Sequence, residues 1–499
     1  MYPIDIVGRA NRHKRKTLQG PFCLRILLLV ILTALAAGTY AIAEAQGSGD
    51  WSPPSVLFDP RDSAGKVRNS GTSLVADQAG NAHLVWISSP EDRDAASESV
   101  YYYSRWNGEY WTTPVDIFAT TSDLRLGWPV LVPAPDGRLH IFLSAGDYVA
   151  HSWAWAASAD SARAWAHADV AVGFAGPASL VIDVKLDAVG TFHVVYALEA
   201  GDVCYVRSSD GGITWSRSVA VSSAMAGTAT LLPKLDVADD GRIHAVWTEY
   251  QLADGPAHSL GVYYAHSVDG GLTWSEPMEL GGFAHSDGNV MAVGDSTVYV
   301  AWNGGIFAGP DGGRFFQRSS DGGVTWEGPV EFSPQTGQPG YPSMALDTGG
   351  TLHILTASGE YATWDGHAWS SPRILRPHPE IQTEKSRLVV VNGNQLVAVF
   401  TPDDWVVYFG TRQLEAPAMP TVLPPTLTPL PPSTATPTHP PTAAEATTVT
   451  FILGDATDFD KSRPMSSRYS EVFSIAVSTG LSLTVIGLVV CLHSRHKKR

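Results

Sequence analysis

Cysteine is scarce. The 499-residue chain has three, Cys23, Cys204 and Cys491, and two of these sit in the apolar segments at its ends. Only Cys204 remains for the body, so no intrachain disulfide can staple it. A body outside the cell would have to hold its fold by core packing alone. Charge is scarce as well: 16% of residues are charged, against 44% hydrophobic. That balance excludes a disordered chain and fits a globular one. Basic residues are the rarer sign, 33 against 49 acidic, and many of them crowd the two ends. An acidic body excludes binding by phosphate neutralisation, so no nucleic-acid partner is expected. No cofactor is expected either.

What the sequence does have is most distinctive first at its ends. Arg9, Arg12, Lys14, Arg15, Lys16 and Arg25 precede an apolar run, RILLLVILTALAAGTYAIA (25–43), and small residues in AIAEA (41–45) offer a cleavage signal. Residues 1–45 read as a signal peptide, with an uncleaved signal anchor as the alternative. Near the other end, FSIAVSTGLSLTVIGLVVCL (473–492) carries no charge over 20 residues and is followed by HSRHKKR. That length matches a hydrocarbon core of about 30 Å. A membrane helix over 472–493 with a basic cytoplasmic tail, 494–499, is expected from the positive-inside rule. The body would then lie outside the cell, attached to the cell membrane by one span after signal cleavage. Between them, PAMPTVLPPTLTPLPPSTATPTHPPT (417–442) cannot bury a core and favours extended polyproline conformation. It opens a Pro/Thr-rich stalk and linker over 416–471.

The body, 46–415, is a repeat. Apolar first strands read SLVAD (73–77), PVLVP (129–133), SLVIDV (179–184), KLDVA (234–238), NVMAV (289–293), PSMAL (342–346) and RLVVV (387–391). Each is followed by a second strand, from AHLVW (82–86) to LVAVF (396–400), and then by two more. Four short strands at a period of roughly 45 residues predict an all-β propeller of seven four-stranded blades, with six as the alternative count. WSPPSVLF (51–58) looks like a fourth strand with no unit before it, and the last unit, ending at VVYFGTRQL (406–414), lacks one. The N-terminal strand is expected to fill that gap and close the ring, leaving no open sheet edge.

Within this repeat an eight-residue string recurs: SSDGGITW (208–215), SVDGGLTW (267–274) and SSDGGVTW (319–326). SADSARAW (158–165), SRWNGEYW (104–111) and TWDGHAW (363–369) are weaker versions. The string resembles the Asp-box, or BNR repeat, of sialidases and other Asp-box propellers. Its chemistry is that of a turn. An aspartate accepts nearby backbone N–H groups, glycines supply positive φ, and a tryptophan buries a large ring. Ser208, Asp210, Gly212 and Trp215, Ser267, Asp269, Gly271 and Trp274, and Ser319, Asp321, Gly323 and Trp326 are therefore read as architecture. His83, His140, His193, His244 and His353 recur at equivalent places in five units. A ring of such positions is too wide to converge on one ion, so no metal site is expected, and each is read as bonding a neighbouring turn.

The resemblance implies a sialidase's equipment: an arginine triad for a sugar carboxylate, an acid/base aspartate, and a tyrosine nucleophile with a glutamate partner. The chain departs from that pattern. Ser70-Gly71-Thr72 stands where an R-I-P motif would precede the first blade strand, with Arg68 and Arg61 close by in other contexts. No catalytic residue is assigned. Ligand-binding candidates lie in loops opposite the Asp-box turns: Arg61, Arg68, Arg93, Arg125, Trp128, Glu249, Tyr250, Asn303, Tyr341 and Trp405. Aromatic rings with polar neighbours suit sugar faces. The expected function is recognition of an extracellular glycan or protein ligand by this loop face. The alternatives are an exo-acting glycoside hydrolase of the sialidase type and a non-catalytic envelope scaffold.

Overall fold

A computed structural model describes residues 50–422 except for 61–66, 91–98, 121–126, 146–147, 167–168, 174–177, 199–200, 223–226, 252–257, 282–286, 295, 305–312, 335–340, 376–382 and 403–404. The signal segment, most of the stalk, the expected membrane helix and the basic tail lie outside the described residues. Among those described, no helix is long and apolar enough to cross a membrane.

The described residues form seven four-stranded antiparallel sheets, so the count is seven blades and not six. The inner strands, in blade order, are Val67–Ala76, Val130–Pro133, Ala178–Leu186, Thr228–Val237, Asp287–Val293, Ser343–Leu346 and Thr383–Val391. Blade seven is composite. Ser55–Phe58 pairs with Val407–Gln413 as its fourth strand, and Trp51 bridges Arg412 just ahead of it. The expected closure of the ring by the N-terminal strand is what the sheet order shows.

Neighbouring blades bury the apolar faces that one blade alone would expose. Alternation along each strand sends one set of residues to each neighbour. In the second strand of blade seven, Val397 and Val399 pack with Leu84 and Trp86 of blade one, while Leu396, Ala398 and Phe400 pack with Leu355 and Tyr361 of blade six. Trp86, Trp247 and Trp302, at matching positions in second strands, are almost fully enclosed. Cys204 is a buried free thiol whose pKa burial pushes up.

Antiparallel pairing fixes two faces. Turns between first and second strands, and Asp-box turns between third and fourth, lie on one face, here the turn face. Links between second and third strands, and between blades, lie on the opposite loop face. Two fourth strands are shorter than the sequence implies: within WSEPMEL and WSSPRIL the strands are only Met278–Leu280 and Arg373–Ile374, with Trp369 adding an isolated bridge to Trp364. The weak repeat SADSARAW becomes two 3₁₀ turns, Ala156–Ser158 and Ala162–Ala164, with Trp165 buried behind them.

After the last strand the chain turns across the turn face. Leu414 donates its N–H to Asn394 O at 2.7 Å, Met419 to Asn392 O at 2.7 Å and Val422 to Gln78 O at 2.8 Å. The Thr348 hydroxyl also donates to the Pro417 carbonyl. These partners are the strand-linking turns of blades six, seven and one, so this short strap crosses the seam where the ring closes.

Candidate functional site

The Asp-box turns close on themselves in the same way three times. Ser208, Ser267 and Ser319 each donate to the next aspartate at 2.8 Å. Thr214, Thr273 and Thr325 donate hydroxyls to the second oxygen of Asp210, Asp269 and Asp321. Those bonds, with backbone N–H groups, hold the Asp210 and Asp269 carboxyls down at about 2 and push Asp321 lower still. The second glycine meets the previous blade. A Cβ on Gly271 or Gly323, both at positive φ, would overlap the ring of Tyr205 or Tyr264. Trp274 and Trp326 stack edge-on to the same tyrosines, at 5.4 and 4.8 Å between centroids. Both carboxylate oxygens of each aspartate accept bonds from the aspartate's own turn.

Three of the five repeated histidines bond a neighbouring turn as expected; His140 and His244 do not. His83, His193 and His353 each share a proton with an aspartate of the first turn, Asp77, Asp187 or Asp347, at 3.1–3.2 Å, and with a third-strand tyrosine at 2.6–2.8 Å. His244 keeps the tyrosine, Tyr264, at 2.6 Å, while His140 bonds His151 at 2.8 Å. Burial pushes His140 and His244 down to about 3. Among the described residues, no cluster of three or more metal-ligating side chains occurs.

The other end of the ring is different. Count back along each inner strand from its last paired residue at the turn, Ala76, Pro133, Leu186, Val237 or Leu346, and in blade seven from Val390, one residue before its last pair, Val391 with Gln395. The fifth position back holds Gly71, Trp128, Leu232 and Tyr341 in blades one, two, four and six. These converge. Trp128 and Tyr341 meet edge-on with centroids 5.5 Å apart, and both pack on Leu231, Leu232 and Tyr250. Blades two and six lie on opposite sides of a seven-blade ring, so this contact spans the channel and gives it an aromatic floor below the loop face.

Local backbone explains how the floor is built. Inner strands one and four bulge at this level, between Ser70 and Ser73 and between Leu231 and Lys234. The bulged residue has φ +57° at Gly71 and +58° at Leu232. Gly71 is needed: a Cβ there would stand 2.7 Å from Ile87 and 3.0 Å from the Trp128 indole. Leucine in the left-handed region costs about 1–2 kcal/mol, and Leu232 bears that cost to bring its side chain into the floor.

Beside the floor, Arg68 lies over the Trp405 ring at 5.2 Å, and buried Asn69 donates to the Trp405 carbonyl at 2.5 Å. Trp405 itself has φ +63°. Blades one and seven thus place a guanidinium and an indole together at the rim.

The candidates predicted from sequence divide accordingly. Trp128, Tyr250 and Tyr341 come together in the floor; Arg68 and Trp405 pair beside it. Glu249 does not join its neighbour Tyr250. It is buried in the second strand of blade four, and its carboxyl is raised by burial and by Glu279, which lies close to Tyr263 as well. Asn303, 3% exposed, is a strand residue in register with Asp287 and Arg314, and Arg314 is sealed in an ion pair with Glu360 and a 2.7 Å bond to Ser358. Arg61, Arg93 and Arg125 lie outside the described residues.

Sequence reading missed the layer under the floor. Third from the turn stand Ser73, Asp183, Lys234, Ser343 and Arg387; first from the turn stand Lys185 and Asp236. Several latch blade to blade: Leu131 N–H donates to Ser73 at 3.0 Å, Leu235 N–H to Asp183 at 2.9 Å, Val293 N–H to Asp236 at 3.1 Å and Leu388 N–H to Ser343 at 3.0 Å. Charges two apart on an otherwise apolar inner strand, as in IDVKL and KLDV, were the available signal.

A family profile described as BNR repeat-like domain matches residues 108–354. No curated protein matches the chain. Among solved structures, a protein of unknown function from Dyadobacter fermentans is 14% identical, covers 73% of this chain and 99% of its own, with a TM-score of 0.45. A Hadza microbial sialidase is 15% identical over 67% of this chain and 77% of its own, TM-score 0.41. An α-L-arabinanase from Penicillium chrysogenum is 15% identical over 74% of this chain and all of its own, TM-score 0.43. Residues 108–354 thus carry a BNR repeat-like domain, set within a closed seven-blade β-propeller that bears three Asp-boxes.

Proposed function

We propose that the propeller is a recognition module that binds an extracellular ligand, a glycan above all, on the loop face at the aromatic channel mouth. The observation that carries this reading is the floor of Trp128, Tyr250 and Tyr341, assembled from three blades and flanked by the Arg68–Trp405 pair. Rigid aromatic rings ringed by polar groups suit the apolar faces of sugars. Two non-glycine residues at positive φ, Leu232 and Trp405, belong to this region. Strain of that kind gathers at ligand sites. The strap adds an orientation. It leaves the body from the turn face, so a membrane tether beyond it would present the loop face outward.

A second reading, an exo-acting glycoside hydrolase, rests on Glu249. A buried carboxyl with a raised pKa is what a general acid needs. The full-length protein, incubated with a panel of sialylated and neutral glycans, separates the two by mass spectrometry. Glycan retained intact by the wild type and lost in Trp128→Ala supports recognition. Released sugar that disappears in Glu249→Gln moves the hydrolase to first place. Neither binding nor release from any glycan removes both glycan readings and leaves protein recognition or scaffolding.

A further inference from the structure

The channel beneath the floor is electrostatically unlike the rest of the molecule. The chain carries a formal net charge of −16. Its axis nevertheless gathers three cations, Lys185, Lys234 and Arg387, against two carboxylates, Asp183 and Asp236, from inner strands three, four and seven. One pair is settled: Lys185 Nζ stands 3.8 Å from Asp236. Lys234 and Arg387 are left to share Asp183, and one of its oxygens already accepts the Leu235 N–H. Among the described residues Lys234 makes no hydrogen bond and no ion pair. Arg387 spends Nε on Thr72 O at 3.1 Å and Nη1 on Ser386 O at 3.0 Å, and its Nη2 makes no bond. Both side chains are half-buried. Burial lowers the pKa of each, and Arg387 and Lys185 lower that of Lys234 further.

Enclosing a cation without full compensation is costly, and two like charges in one layer compound the cost. We propose that the channel is a binding site for a small inorganic oxyanion, phosphate or sulfate, held between Lys234 and Arg387. An ammonium and a guanidinium edge supply charge-assisted donors to separate oxygens of one tetrahedral anion. The anion offsets the layer's excess positive charge, with Asp183 continuing as the latch to blade four. Such an ion would tie inner strands four and seven across the ring. The site lies directly below the aromatic floor, whose Tyr341 faces Arg387, and takes a different ligand from the loop-face surface proposed above.

The test is equilibrium dialysis of the full-length protein against inorganic phosphate and, in parallel, sulfate, at constant ionic strength set with sodium chloride, with thermal midpoints followed alongside. Saturable binding of about one anion per chain is expected. Lys234→Met is expected to weaken it about tenfold or more, the loss of one charged hydrogen bond. Lys234→Arg keeps the charge and is expected to stay within about threefold of wild type. Asp183→Asn leaves the latch acceptor but removes a negative charge, and tightens binding. Trp128→Ala leaves it unchanged while abolishing glycan retention. Wild-type protein with no saturable binding overturns the proposal. So does Lys234→Met protein that binds like wild type, since the anion would then sit at another site. Should Lys234→Met fail to fold, weaker or unchanged binding by Asp183→Asn overturns it instead.

Discussion

The two faces of the ring follow opposite rules. On the turn face the same side chains recur in the same bonds: serine to aspartate, threonine to aspartate, glycine against the previous blade's ring. In the channel the repeat is only partial. Ser73 and Ser343 recur as latches, but Trp128, Leu232 and Tyr341 occupy a position that blades one and three fill with glycine or valine, and Lys234 and Arg387 one that the other blades fill with serine, valine or aspartate. Repetition satisfies each blade's own needs, so what it builds is scaffold. A residue that breaks the repeat answers to something the scaffold does not require.

That contrast can be broken most forcefully at Gly323. An alanine there would overlap the Tyr264 ring at a φ of +88°. A loss of about 3 kcal/mol or more is expected in chemical denaturation. Gly108→Ala, at φ +99° in open space, is expected to cost only about 1 kcal/mol. Equal losses would mean that backbone strain, and not the neighbouring blade, sets the need for glycine.

A second effect comes with pH. The pKa values of His140 and His244 are lowered by burial, to about 3, so the unfolded chain binds protons more readily than the native one. The stability they allow is present above about pH 6.5 and falls as pH drops from there toward 3. Asp77 and Asp187, lowered by their histidine and backbone partners against the opposing effect of burial, add a loss that sets in below about pH 4. Urea midpoints from pH 7 to 4 should decline, with a slope of at most about 1.4 kcal/mol per pH unit for each histidine. His244→Gln should flatten the upper part of that decline.

A smaller loss separates scaffold from site. Asp321→Ala removes the hydrogen bonds of one turn and is expected to lower the denaturant midpoint measurably while leaving glycan retention intact. Tyr341→Phe is expected to do the reverse, with stability near wild type and retention reduced several-fold. Ile213→Ser, at an 82% exposed position in a turn, should shift stability by no more than about 0.5 kcal/mol.

How much was legible beforehand follows the same division. The blade count, the closing strand and the Asp-box turns could be read because they recur, and recurrence is visible in a single sequence. The floor was half legible. Trp128 and Tyr341 stood out as aromatics beside inner strands, but their meeting across the ring depends on closure, which no local pattern encodes. Leu231 and Leu232 precede KLDVA (234–238), where the sequence pattern starts the strand; the bulge that gives Leu232 positive φ left no mark comparable to Gly71 at the same position. Glu249 and Asn303 were placed in loops because their strands run further toward the loop face than the apolar pattern does. Lys185, Lys234 and Arg387 were passed over because a charge on a strand reads as solvent-facing, and in a propeller the innermost strand faces a channel instead.

The central claim is that ligand recognition resides at the aromatic channel mouth and the Asp-boxes serve only as scaffold. Glycan retention by full-length wild type, Trp128→Ala and Asp321→Ala, measured side by side on folded protein, tests it most directly. The account predicts retention by wild type and Asp321→Ala, and its loss in Trp128→Ala. Retention that survives Trp128→Ala but fails in Asp321→Ala would place the ligand on the turn face and contradict it.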